Sequence, residues 1–202
     1  MLRVLLHIAW LLGAVYATIP GFWLAAHPFA ERWRTRRAPY RVLAPLWALM
    51  ISATLAATGP WREVLLYESP FSLLGGGVLL AAAIFVYRRA RQGFTQEMLI
   101  GRTELEQGRE QKLVTGGVRD VVRHPVYLAH LLVLMALTAA AGTIALFAML
   151  AFAIATGILL IRAEDAELER RFGDEFRAWK RRVPHAVLPL PGARSQAQRG
   201  GA

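Results

Sequence analysis

The amino-acid sequence predicts an all-α integral membrane protein with about five transmembrane helices, a C-terminal helical hairpin and a cytoplasmic amphipathic C-terminal helix. Three observations support this fold class. Hydrophobic residues make up 55% of the 202 residues and charged residues only 19%, whereas a soluble domain carries about a quarter charged residues. The uncharged residues are gathered in stretches close to the roughly 20 residues that cross a bilayer. If these stretches cross a membrane in turn, nearly all basic residues lie on the same side of that membrane.

Five apolar stretches are long enough to be transmembrane helices. They cover residues 4–26, 42–58, 71–87, 126–141 and 143–161. Gly142 alone separates the last two, and so short a joint predicts an antiparallel helical hairpin. We therefore expect three spans within residues 1–90, a region at 91–191 that contains a connector, the hairpin and a C-terminal helix, and a disordered tail at 192–202.

The basic residues predict the orientation of these spans, because short cytoplasmic loops are enriched in Lys and Arg. With five spans, segments 25–41, 88–123 and the tail from residue 162 share one side and hold 22 of the 24 basic residues. We therefore expect an external N-terminus and a cytoplasmic C-terminus, in a bacterial plasma membrane. Residues 1–17 also have the pattern of a cleaved signal peptide, which is an alternative to a first span.

The net charge of +10 has a simple explanation in this topology. Basic residues at the cytoplasmic surface set the orientation and meet anionic lipid headgroups, so membrane lipids are the expected partners. The sequence contains no motif typical of nucleic-acid binding, and we expect no nucleic-acid partner. It also contains no cysteine and no His/carboxylate spacing typical of a metal site, so neither a thiolate site nor a bound metal is expected.

Residues 112–127, KLVTGGVRDVVRHPVY, lead into the fourth span. Pro125 suits the first turn of a helix, which places His124 at the cap. The free amides and the dipole of such a helix end favour an anion, and Arg123 adds a positive charge. Gly117, with the glycine before it, permits a close backbone approach to a ligand. In the alternative interpretation, His124 only caps the helix and Arg123 only reaches the headgroups.

Residues 162–189 leave the fifth span and carry an apolar stripe. Its members are spaced at helical intervals: Leu168, Phe172, Phe176, Trp179 and Val183. The stripe predicts one amphipathic helix that leaves the membrane. Extending it backwards by one turn reaches Glu164, a carboxylate on the apolar side at the membrane boundary, and such a residue is costly unless it is used or paired. Asp165 is a weaker candidate, and Arg162 is a possible partner for it.

The alternative for Glu164 is an ion pair with Arg123 or Arg119. His130, six residues after His124, is predicted to face more than a right angle away from His124 on the helix.

Taken together, VRHPVY, an acidic pair about forty residues later and then FGDEF resemble the isoprenylcysteine carboxyl methyltransferase family, which is related to the membrane phospholipid methyltransferases. The resemblance covers roughly residues 113–189. It implies an S-adenosylmethionine-dependent methyltransferase with Glu164 and Asp165 at the reacting centre. Matching positions imply that Arg123, His124, Pro125 and Tyr127 bind the cofactor, and we add Gly117 and Glu164 to that set.

Two positions depart from the family pattern. Isoprenylcysteine enzymes commonly carry an arginine where this chain has Leu160, and the second acid is Asp165 instead of glutamate. We therefore expect a different lipophilic or small membrane-accessible acceptor: a lipid amine, a quinone-like or isoprenoid compound, or a small thiol. Two other functions are alternatives, an NADPH-dependent membrane reductase of the sterol reductase type and a non-catalytic membrane protein that retains the fold.

Overall fold

The computed structural model describes residues 2–35, 38–92, Met98, Leu105 and 112–188. Seven α-helices lie within these ranges: α1 Leu2–Ala26, α2 Ala30–Arg34, α3 Tyr40–Thr58, α4 Ser72–Ala90, α5 Pro125–Ala141, α6 Ile144–Phe172 and α7 Asp174–Arg182. Short 3-10 turns cover His27–Phe29, Gly59–Trp61 and Gly117–Asp120. The all-α prediction is confirmed. The predicted tail at 192–202 and most of the connector lie outside the described residues.

Four helical segments are long and apolar enough to cross a membrane, namely Leu2–Arg34, Tyr40–Trp61, Ser72–Ala90 and Ile144–Phe172. Helix α5 is apolar but shorter, at 17 residues. At 1.5 Å per residue it is about 26 Å long, slightly less than the hydrocarbon core of about 30 Å. The predicted number of five spans is therefore approximate.

The predicted hairpin of α5 and α6 is confirmed, and Gly142 makes its turn possible. Gly142 has a φ of +64°, which favours glycine. A Cβ atom there would lie 2.7 Å from the Tyr67 carbonyl oxygen. The segment before α4 packs so closely because Leu66 N donates to Gly142 O at 2.8 Å and Ile144 N donates to Val64 O at 2.9 Å. The turn is thus fixed from both sides by backbone hydrogen bonds.

Small residues bring α1 and α4 close to this hairpin. A Cβ atom on Gly13 of α1 would lie 2.4 Å from a Leu146 methyl group of α6. A Cβ atom on Gly76 of α4 would lie 2.9 Å from the Ala136 carbonyl oxygen of α5. The buried core between α1, α5 and α6 consists of Ala14, Ala17, Leu134, Leu146, Met149 and Ala153. Close packing of this kind is typical of membrane helices.

The sequence predicts that the apolar stripe after the fifth span lies on one helix, but in the structure the stripe is divided between two helices. Gly173, with a φ of +53°, ends α6, and α7 starts at Asp174. The stripe residues nevertheless meet in one cluster, because Phe176, Trp179 and Val183 pack with Leu113 against Leu168 and Phe172. The sequence pattern was correct about the buried side chains and wrong about the continuous helix, since a helical period does not reveal a break at a glycine.

Candidate functional site

The site lies where the start of α5 meets the polar half of α6. His124 caps α5, and Pro125 occupies its first turn, as the sequence predicted. The backbone ahead of the helix is held by the chain beyond α7: Arg123 N donates to His185 O at 2.9 Å, and His124 N donates to Ala186 O at 2.8 Å. These bonds tie the backbone at the start of α5 to the segment that follows α7.

The Arg123 guanidinium is buried and binds the protein through its two terminal nitrogens, whereas its Nε donates no hydrogen bond to the described residues. Its Nη1 donates to the Val183 and Pro184 carbonyl oxygens, both at 2.8 Å. Its Nη2 donates to Asp165 Oδ2 at 2.7 Å. The sequence predicts a positive charge offered to a ligand, or one that reaches the headgroups. The structure places it in a buried ion pair, where it holds α5, α6 and the segment after α7 together.

Asp165 is the central acid of this arrangement. Besides Arg123, it contacts His124 Nε2 through Oδ1 at 2.9 Å and Lys180 Nζ through Oδ2 at 3.3 Å. The alternative in which Glu164 pairs with Arg123 is therefore wrong, because Arg123 binds the next acid along the helix. Arg162, the proposed partner of Asp165, is exposed. Asp165 binds residues that precede α5, so its geometry suits orienting His124.

Glu164 has a different environment. Its Oε2 atom is buried and makes no hydrogen bond within the described part of the chain. Two histidine nitrogens lie near it, His124 Nδ1 at 3.6 Å and His27 Nε2 at 3.9 Å, and both distances exceed a hydrogen bond. A buried carboxylate oxygen without a donor is costly. Glu164 therefore has unused capacity to accept a hydrogen bond or a proton from a ligand.

His124 lies between the two carboxylates and is held as a cation. Burial by itself lowers the pKa of His124, but the charge of Glu164 and the hydrogen bond with Asp165 outweigh it and raise the pKa to about 9. At neutral pH the imidazole is therefore protonated. A protonated His124 donates to Asp165 and cannot accept a proton from a substrate.

An aromatic side chain and a second arginine complete this side of the site. The Tyr127 ring stacks on the His124 ring, with centroids 5.7 Å apart and planes at 16°. Arg119, in the 3-10 turn, is buried and donates to the Ala90 carbonyl oxygen at 3.0 Å. Burial lowers the pKa of Arg119 to about 10, so the side chain is still charged at neutral pH.

These side chains surround a cavity of about 120 Å³. Its described lining residues are Trp23, His27, Met98, Arg119, Arg123, His124, Pro125, Val126, Tyr127, His130 and Glu164. Of the predicted site residues, the cavity brings together Arg123, His124, Pro125, Tyr127 and Glu164. Asp165 contacts His124 but is not among the residues that line the cavity. Gly117 starts the 3-10 turn with a φ of +61° and is exposed, also outside the lining.

Sequence reasoning missed Trp23, His27 and His130 as site residues. His130 was predicted to face away from His124, yet both line the cavity. The helical wheel does not apply to His124 because its backbone, with φ −116° and ψ 62°, lies outside the helix. The sequence does contain a signal that could have identified His27 as a site residue. The charge pattern places His27 and His124 on the same side of the membrane, and each of them precedes a proline.

The fold and the site together define a helical membrane protein with a buried ionic site at one end of its spans. Residues 70–175 match the family model described as phospholipid methyltransferase, which covers more than half of the chain. The chain belongs to the phospholipid methyltransferase family, and this membership indicates a membrane methyltransferase. The predicted resemblance is thereby confirmed. No curated protein and no solved structure matches the chain.

Proposed function

We propose that this protein transfers a methyl group from S-adenosylmethionine to a lipophilic, membrane-accessible acceptor. The observation that carries the proposal is Glu164, which lines the cavity and whose buried Oε2 accepts no hydrogen bond from the described residues. Family membership supports methyl transfer. The cofactor, the acceptor and the residue roles are our inference from the side chains around Glu164.

The residues at the start of α5 suit the cofactor. The first helical hydrogen bond there is donated by Leu128 N to His124 O at 3.2 Å, so the amides of Val126 and Tyr127 precede it. Amides at a helix start favour a carboxylate such as that of the methionine group. The Tyr127 ring offers an aromatic face, and the negative charge of Glu164 suits a cationic sulfonium or amino group. When bound, S-adenosylmethionine supplies an electrophilic methyl group.

The two acids have separate roles in this proposal. Glu164 accepts the proton that the acceptor loses, because it is the acid among the described residues that line the cavity and its Oε2 accepts no hydrogen bond from them. Asp165 keeps His124 oriented and charged through the 2.9 Å contact with Nε2. Proton acceptance by a positioned base contributes about 10²–10⁴-fold to the rate, and orientation of the reactants contributes further.

Two positions that could bind a carboxylate, as in isoprenylcysteine enzymes, are not available for it here. Leu160, which replaces the arginine of isoprenylcysteine enzymes, is completely buried. Arg123 is engaged by Asp165 and by backbone carbonyls. Trp23 and His130 come from the apolar helices α1 and α5, so the cavity continues toward the membrane interior. A lipid amine fits this arrangement best, because its ammonium form complements Glu164 and transfers a proton to that carboxylate, which leaves the neutral amine that attacks the methyl group.

Methyl transfer into defined lipid vesicles tests this proposal. The full chain would be reconstituted with phosphatidylethanolamine, or with phosphatidylglycerol, which has no amine, and supplied with methyl-labelled S-adenosylmethionine. We expect labelled lipid only with phosphatidylethanolamine. We also expect labelling by Glu169→Gln, a change of a more exposed acid on the same helix, and none by Glu164→Gln. Equal labelling of both lipids, or of neither, would contradict a lipid amine as the acceptor.

A further inference from the structure

His27 lies directly after α1 and reaches the site from the N-terminal part of the chain. Pro28 follows it, and the chain changes there from α1 to the 3-10 turn His27–Phe29. The side chain is 3% exposed and lines the same cavity as Glu164. It lies outside the segment 70–175 that matches the family model. A residue that the matched segment lacks therefore contributes to the wall of the site.

The contacts of His27 point to two functional side chains. Its Nε2 atom lies 3.4 Å from the Tyr127 hydroxyl, within hydrogen-bond reach. The same nitrogen lies 3.9 Å from Glu164 Oε2. The ring also packs on Trp23, with centroids 5.2 Å apart. His27 is thus held by packing on one side and presents its Nε2 nitrogen toward Tyr127 and Glu164.

Glu164 Oε2 consequently lies near two imidazoles that are held in different ways. His124 is fixed by its bond to Asp165 and by the backbone bonds ahead of α5. His27, the first residue after α1, lies 3.9 Å from the same carboxylate oxygen. Without His27, the Tyr127 hydroxyl loses a partner and the Glu164 carboxylate gains freedom to turn. A displacement of about 1 Å in a reacting group is enough to lower a rate by about 100-fold.

We propose that His27 is a positioning residue for methyl transfer, which holds the Tyr127 hydroxyl and the Glu164 carboxylate at the cavity wall. This inference rests on the proposed function. It gives α1 a role in the reaction beyond anchoring the chain in the membrane. It also predicts that the N-terminal spans are required for turnover, although they lie outside the family-matched segment.

Two substitutions distinguish the effect of the hydrogen bond between His27 and Tyr127 from the effect of the packing of His27 on Trp23. His27→Phe keeps a ring beside Trp23 and removes the nitrogen, whereas His27→Gln keeps a polar nitrogen near the same place and removes the ring. Their turnover would be measured with phosphatidylethanolamine vesicles, and their affinity by titration with S-adenosylhomocysteine. The matched control is His7→Gln, because His7 lies near the other end of α1 with a side chain 40% exposed.

We expect kcat to fall at least about tenfold in His27→Phe and to stay within about threefold of wild type in His27→Gln. The dissociation constant of S-adenosylhomocysteine should change less than about threefold in both, since the cofactor-side groups are retained. Tyr127→Phe removes the other partner of the same hydrogen bond, so it should give a similar loss. The double variant should lose little more than either single change.

A wild-type kcat in His27→Phe would overturn the inference. Equal losses in His27→Phe and His27→Gln would also overturn it, because the ring and not the nitrogen would then matter. Additive losses in the double variant would contradict the shared hydrogen bond, and this test holds even if one single variant is less stable. Absence of S-adenosylhomocysteine binding by the wild-type protein would instead overturn the proposed function, and this inference with it.

Discussion

The Arg123 guanidinium and the Asp165 carboxylate form a buried ion pair, with Nη2 and Oδ2 2.7 Å apart. The other oxygen of the same carboxylate lies 2.9 Å from His124 Nε2. One acid on α6 thus fixes both residues that precede α5. Because Arg123 also binds the Val183 and Pro184 carbonyl oxygens, this pair joins three distant parts of the chain.

Replacement of Asp165 by asparagine should destabilise the fold, because it leaves the Arg123 charge buried without its counter-ion. Loss of one partner of a buried ion pair costs about 3–5 kcal/mol. The free energy of unfolding would be measured by chemical unfolding in mixed micelles. Asp174→Asn is the control, since Asp174 forms an ion pair with Arg177 at 97% side-chain exposure, and we expect no measurable change there. Equal stability of Asp165→Asn and wild type would contradict the structural role of this pair.

Stability should fall as the pH rises above about 6.5, through deprotonation of His124. The folded-state pKa of His124 is raised to about 9 from an ordinary 6.5, so the folded protein binds the proton more tightly than the unfolded chain. The stabilisation is complete below pH 6.5 and is lost as the pH rises through about 9. Between these values the unfolding free energy should decrease by about 1.4 kcal/mol per pH unit.

The same unfolding measurement in His124→Gln should lack this slope, while His7→Gln should retain it. A wild-type protein whose stability stays constant from neutral pH to about pH 9 would refute a charged His124. In that case the His124 imidazole between Glu164 and Asp165 would be neutral.

Gly142→Ala should destabilise the hairpin. The left-handed backbone costs a residue with a Cβ atom about 1–2 kcal/mol, and the added carbon would lie 2.7 Å from the Tyr67 carbonyl oxygen. Gly157→Ala, in the middle of α6, is the control because a Cβ atom there meets nothing within 4 Å. The control should be neutral or slightly stabilising. Thermal unfolding of the two purified variants compares them directly, and equal midpoints would count against the tight turn.

Glu164→Gln should lower turnover far more than cofactor affinity. The amide keeps the size of the side chain and loses the ability to accept a proton, so kcat should fall by about 10²–10⁴-fold. The dissociation constant of S-adenosylhomocysteine should change by less than about tenfold. Steady-state rates with phosphatidylethanolamine vesicles and calorimetric titration give the two quantities. An unchanged kcat would exclude Glu164 as the proton acceptor.

Much of the fold follows from local sequence signals. Apolar length placed α1, α3, α4, α5 and the start of α6 within a few residues, although α6 continues to Phe172, past the predicted end of its span at residue 161. Gly142 marked the hairpin turn because its left-handed backbone favours glycine. The hairpin in turn predicts that the start of α5 and the polar half of α6 are neighbours. For this reason the sequence predicts that His124 and the acidic pair lie together.

The exact pairing within the site was not predictable from the sequence. Glu164 and Asp165 are adjacent and differ by about 100° around α6, so the rotation of that helix decides which acid meets Arg123. The contribution of His27 depends on how α1 packs against α6, which Gly13 permits but does not specify. The break at Gly173 was missed because the apolar period continues across it.

The most direct test of the central claim is calorimetric titration of the detergent-purified protein with S-adenosylhomocysteine, with NADPH as the control ligand. We predict saturable binding of S-adenosylhomocysteine, no binding of NADPH, and at least about tenfold weaker binding in His124→Ala, which removes the charged cap beside the α5 amides. A folded wild-type protein that binds neither ligand, or binds only NADPH, would contradict the assignment of this cavity as a methyl-transfer site.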